Sequence, residues 1–126
     1  MTAALFDSSV LIAHLRGDDR ATSRLRAAAA EGGAFASVLS RTELEGGMRS
    51  AERSSVARLF GGVALVPVSD TIAVRAGEHL RRFRRSHSGI DIVDYVVAAT
   101  AEEVDAELVT LNVRHFPMVP RLRPAF

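Results

Sequence analysis

Short strand-like runs alternate along this sequence with longer stretches of helical period, and that alternation limits the fold more than any other feature. Ala3–Phe6, Ala34–Ser37, Val63–Val68 and Glu107–Thr110 have the length and apolar content of strands, although Pro67 breaks the third. The segments between them place apolar residues three and four apart. Val10, Leu11, Ala13, His14 and Leu15 suit a short helix ended by Gly17, with Ser8 and Ser9 available as caps. Ala21–Ala30 reads as an Ala-rich helix stopped by Gly32-Gly33. Helices are also predicted over Leu39–Met48 and Ser54–Phe60. Ser69 or Asp70 caps a longer one reaching about Arg85, with Ile72, Ala73, Ala76, Leu80 and Phe83 on its inner face. Asp91–Glu103 is apolar nearly all round beyond Asp94, so it is a buried helix. Pro117, Pro120 and Pro124 mark an irregular tail, with room for a short edge strand at Met118-Val119. The pattern is that of an α/β protein: three α/β/α layers around a short, mainly parallel sheet of four to five strands. In such sheets ligands bind beyond the C-terminal strand ends, which selects Asp7 after the first strand and Asn112 after the fourth.

The 126 residues, 48% hydrophobic and 25% charged, suit one globular domain over residues 1–126. There is no cysteine, so disulfides and thiolate metal ligands are excluded. No apolar run reaches the roughly 18–20 residues of a membrane span. The apolar N-terminus is interrupted by Asp7 and lacks the basic start of a signal peptide, so the expectation is a cytoplasmic protein without a membrane partner. Arginine supplies all 16 basic residues. It forks onto phosphates, but joint Arg and Ala richness also follows from a GC-rich genome. The lack of lysine excludes a receiver-like phospho-acceptor domain. His14, His79, His87 and His115 share no metal-ligand spacing, and no glycine-rich phosphate loop or nucleophile elbow is present.

The acidic residues each carry two readings. Asp7 is a helix N-cap or a site carboxylate. Glu43 forms a capping box with Ser40 or joins the site, while Glu45 falls on another side of the helix. Asp91 and Asp94 stand one turn apart in a first turn, where the helix dipole favours anions. The dipole explains Asp94 less well, because the helix behind it is buried. Carboxylates gathered at the strand ends would hold Mg²⁺ or Mn²⁺, which points to metal-assisted phosphodiester hydrolysis. The run Leu80–His87 (LRRFRRSH) is a solvated helix face or an RNA backbone clamp of Arg81, Arg82, Arg84 and Arg85.

The segments LFDSSVLIAHL, SRTELEGG, DYVVAATA and LVTLNVRHFP occur in that order. With them the chain resembles PIN-domain ribonucleases of the VapC type, the toxins of bacterial toxin–antitoxin pairs, from about Ala4 to Pro117. The resemblance implies Asp7, Glu43 and Asp94 as catalytic carboxylates and metal ligands, with Asp91 as an additional ligand. It implies Ser9, Thr110 and Asn112 as residues behind them. Asn112 stands where many PIN domains carry a fourth acid, which puts two-metal catalysis in doubt. The Asn-Val-Arg-His-Phe segment offers Arg114 or His115 to a phosphate, or only packs Phe116. The implied function is a Mg²⁺- or Mn²⁺-dependent endoribonuclease that cuts structured RNA of the tRNA or rRNA class. A cognate antitoxin and a second copy of the chain, as a homodimer, are the implied partners. The alternative is a catalytically weak RNA-binding or interaction PIN module.

Overall fold

The computed structural model describes residues 2–126. Strands β1 (Ala3–Phe6), β2 (Ala34–Ser37), β3 (Ala64–Val66) and β4 (Ala106–Val109) form one parallel sheet in the order β3-β2-β1-β4. Between and around them lie α1 (Ser8–Leu15), α2 (Asp19–Ala30), α3 (Val38–Gly47), α4 (Arg53–Gly61), α5 (Asp70–Phe83) and α6 (Ile92–Glu103). Short 3-10 turns occupy Ser50–Glu52 and Val113–His115.

Strand β1 shows why its sequence has no polar alternation. Ala4 and Phe6 face a core built with Val10, Leu11, Leu25, Val56 and Phe60. Leu5 points the other way, to Val97, Ala98, Leu108 and Phe116. Both faces of the strand are covered, as parallel sheets require. On the second face α6 is also packed from outside by α5, where Ile72 and Ala76 meet Tyr95, Val96 and Ala99. This double cover accounts for the all-round apolar character of α6. At the entry to β2, Gly33 takes φ +105°, and a Cβ on Gly32 would lie 2.3 Å from the Thr2 carbonyl oxygen just before β1. The Gly-Gly pair therefore does more than stop α2: it lets the chain pass directly against β1.

Several boundaries differ from the sequence expectation. The third strand is only Ala64–Val66, because Pro67 has no N–H for the ladder. No strand forms at Met118-Val119, so the sheet has four strands. Val119 N–H instead donates to Phe116 O in a turn, and Met118 packs against both α6 clusters. Helix α2 starts earlier, at Asp19, because Asp18 accepts from Arg20 N–H as its cap. Helix α5 ends at Phe83, leaving Arg85 beyond it.

The chain lays β2 and β3 on one side of β1 and then returns to its other side with β4. The strand order reverses between β1 and β4, and the crevice at their C-terminal ends is the place where such sheets bind ligands.

Candidate active site

Asp7 enters that crevice directly from β1. Its backbone occupies the N-cap position of α1 (φ −73°, ψ 156°), yet its side chain makes no capping bond. Instead Oδ2 accepts from Ser9 Oγ and Thr110 Oγ1, both at 2.9 Å. Each hydroxyl has one proton, and each already accepts a backbone N–H: Leu111 N to Ser9 Oγ at 3.0 Å, and Asn112 N to Thr110 Oγ1 at 2.9 Å. Their protons are thereby committed to Asp7. The cap reading of Asp7 fails at the side chain, and the carboxylate bridges β1 and β4 across the switch point.

Glu43 lies exposed in α3, where its Oε1 accepts from Ser8 Oγ at 2.7 Å. The capping box with Ser40 does not form. The cap of α3 is Ser37, which accepts from Leu39 N–H, and the Ser40 hydroxyl is buried without a partner. Glu45 turns away to Arg41 at 3.8 Å.

The two aspartates of α6 separate cleanly. Asp91, counted among the metal ligands from sequence, serves as the N-cap of the helix, with Oδ1 accepting from Val93 N–H at 2.9 Å and Oδ2 without a hydrogen bond among the described residues. Asp94 has a side chain 15% exposed, and its Oδ2 lies 3.2 Å from His115 Nδ1. Burial pushes the Asp94 carboxyl above the usual carboxylate range, and the charges of Asp7 and Asp91 add to that while His115 opposes it. Two like charges press on one crevice here, a situation that a hard cation relieves.

One regularity emerges. Asp7 Oδ2 and Glu43 Oε1 are each engaged by hydroxyl donors, and Asp94 Oδ2 has the His115 ring beside it at 3.2 Å. Asp7 Oδ1 and Glu43 Oε2 carry no hydrogen bond among the described residues, whereas the backbone of Asp91 also bonds to the Asp94 carboxyl. An all-oxygen donor set of this kind fits Mg²⁺ or Mn²⁺. Among the described residues no three His, Asp or Glu side chains are close enough together to hold a metal ion by themselves.

A model of the PIN domain matches residues 4–122. Ribonuclease VapC10 of Mycobacterium tuberculosis is 51% identical over 122 residues, which cover 97% of this chain and 92% of that protein. The chain belongs to the VapC ribonucleases of the PIN-domain family. Ribonuclease VapC19 of the same organism is 44% identical over 123 residues, covering 97% of this chain and 98% of that one. The solved structure of DNA-bound VapBC from Salmonella typhimurium matches at TM-score 0.80 and 18% identity, covering 98% of this chain and 97% of that one. A toxin–antitoxin complex from Klebsiella pneumoniae matches at TM-score 0.78 and 22% identity, covering 98% of each chain. At those identities the two structures show the shared fold.

In this VapC chain the β4 side of the site is built from donors. Asn112 is exposed and joins through its backbone N–H, since its side chain makes no hydrogen bond among the described residues. Two neighbours of the carboxylates read differently from sequence: Ser8 read as a cap, and His115, whose neighbour Phe116 is 1% exposed, read as a phosphate contact and not as a neighbour of Asp94. Arg81, Arg82, Arg84, Arg85 and Arg114 are exposed, and none pairs with a carboxylate among the described residues. Arg75, by contrast, ties α5 to Glu103 at 3.6 Å. This contact sets the start of α5 beside the end of α6, so the arginine run at the other end of α5 lies towards the entrance of α6. No helix among the described residues is long and apolar enough to cross a membrane.

Proposed function

We propose that this chain is a Mg²⁺- or Mn²⁺-dependent endoribonuclease, the toxin of a toxin–antitoxin pair, which cuts structured RNA of the tRNA or rRNA class and so inhibits translation. The observation that carries the proposal is the set of carboxylates at the β1–β4 switch point: Asp7 and Glu43 each have one oxygen held by a hydroxyl and one left free, and the charge of Asp7 presses on a half-buried Asp94. Asp7, Asp94 and Glu43 would hold the cation. Bound there, it would polarise a phosphoryl oxygen and lower the pKa of attacking water towards neutrality. Ser9 and Thr110 keep Asp7 in one orientation. Glu43, the most exposed of the three, is placed to accept a proton from water. The unpaired arginines of α5 and the following loop, with Arg114, would bind the RNA backbone without reading sequence.

The relatives are ribonucleases, and two of the matched folds come from toxin–antitoxin assemblies. A groove of about 230 Å³ between α1 and α3 supports an antitoxin partner. Ile12, Leu15, Leu44 and Met48 line it, with Arg16 and Arg49 beside them, and it opens onto Glu43. A polypeptide seated there would reach the site and occlude the carboxylates. The test is cleavage of total cellular RNA with Mn²⁺, with 5′ ends mapped. Wild type should yield discrete new ends, and Asp7→Asn should bind the same RNA without cutting it. RNA binding with no cleavage by wild type would favour the catalytically weak module instead.

A further inference from the structure

Thr110 is gripped from two sides, and only one of them belongs to the sheet. Its Oγ1 donates to Asp7 Oδ2 at 2.9 Å and accepts from Asn112 N–H. Its carbonyl points the other way. Val109 O accepts from Asp7 N–H, so Val109 faces β1, and the next residue of an extended chain turns its carbonyl to the opposite edge. β4 is the last strand of the sheet on that edge. The tail serves the carbonyl instead: Ala125 N–H donates to Thr110 O at 2.8 Å. Among the described residues this is the one backbone hydrogen bond between residues 120–126 and the rest of the chain.

The tail is anchored beside that bond. The Phe126 ring centroid lies 4.5 Å from the Arg20 guanidinium, which Asp18 fixes through side-chain bonds of 2.9 and 3.2 Å. Ala125 and Phe126 also pack against the core that holds Phe6, Leu25 and Val109. Further back the tail stands off, and a cleft of about 360 Å³ opens between Arg24, β4 and residues 119–125. The grip on Thr110 therefore comes from residues 124–126.

We propose that residues 124–126 form a strap that holds Thr110, and through it the Asp7 carboxylate, in position. Ala125 and Phe126 are positioning residues that act through Thr110. The effect on cleavage rests on the nuclease reading above, whereas the hold on Asp7 does not.

The test reads that hold directly. Leu111 N–H donates to Ser9 Oγ and Asn112 N–H to Thr110 Oγ1, so exchange of these two amides reports whether both hydroxyls stay aimed at Asp7. In the full chain, Ala125→Pro removes the donor to Thr110 O. Exchange at Leu111 and Asn112 should rise about tenfold, the equivalent of one lost hydrogen bond, with Ala76 in α5 unmoved. On an RNA oligonucleotide spanning a mapped wild-type cut, kcat should fall about tenfold with KM unchanged. Ala125→Ser keeps the N–H and should match wild type in both. Phe126→Ala should give the Ala125→Pro pattern more weakly, and Phe126→Tyr should restore wild-type behaviour. Unchanged exchange in Ala125→Pro would overturn the proposal. So would raised exchange with unchanged kcat, a rise shared equally by Ala76, or Ala125→Ser behaving as Ala125→Pro does. Raised exchange in Ala125→Pro where wild type cuts no RNA would overturn the nuclease reading and leave the strap standing. If Ala125→Pro fails to fold by circular dichroism, the Phe126 pair decides alone.

Discussion

Asp7 reaches the crevice from the end of β1, 6% exposed, with two hydroxyls donating to one oxygen. Asp94 reaches it from the first turn of α6 and meets one imidazole that is itself 47% exposed. The hydroxyls on Asp7 are locked in turn by backbone N–H groups, so its position is set by the fold. Asp94 has a single backbone bond from Asp91, and burial outweighs it and pushes the carboxyl upward. A buried charge without adequate partners costs stability and persists where function requires it. The pair thus teaches that one carboxylate is built into the fold by its partners, while the other is kept in the crevice at a cost to stability.

Substitution separates the two. On the proposed metal-dependent reading, Asp7→Ala and Asp94→Asn should both lower RNA cleavage by on the order of a thousandfold, as expected for loss of a cation ligand worth several kcal/mol of transition-state stabilisation. Their stabilities should diverge. Asp7→Ala orphans two hydroxyl donors and should cost about 1–3 kcal/mol in chemical denaturation. Asp94→Asn should raise the melting temperature by roughly 2–5 °C at pH 7 in EDTA.

The pH dependence follows with a definite sign. The Asp94 carboxyl is raised in the folded chain, so the folded state holds its proton more tightly than the unfolded state does. Its contribution to stability therefore falls as pH rises from the ordinary aspartate value through the raised one. The advantage of Asp94→Asn should be full above that window and vanish below it. A constant advantage across acid and neutral pH would remove the contrast with Asp7.

Smaller changes sharpen the same comparison. Thr110→Val removes one donor to Asp7 and the acceptor for Asn112 N–H, and should cost about 1–2 kcal/mol with roughly tenfold lower cleavage. Asp91→Ala should cost only about 1 kcal/mol as a lost helix cap. Cleavage by that variant should stay within about twofold of wild type per folded molecule.

The strand–helix order, the exit of Asp7 from β1 and the buried helix behind Asp94 were all legible in sequence, because each depends on local apolar pattern. The division of labour between Asp91 and Asp94 was not. Both sit in a first turn, and only the bond to Val93 N–H assigns the cap to Asp91. Ser8 was illegible because its partner Glu43 lies 35 residues away. The contact of His115 with Asp94 likewise joins the turn after β4 to a different element. The supposed edge strand at Met118-Val119 failed because two apolar residues between prolines pack equally well as a turn.

The most direct measurement of the central claim is an anomalous difference map from crystals of the chain soaked in Mn²⁺. One peak should appear among Asp7, Glu43 and Asp94, contacting oxygens of Asp7 and Asp94. An empty crevice at saturating Mn²⁺, or a peak only at other carboxylates, would contradict it.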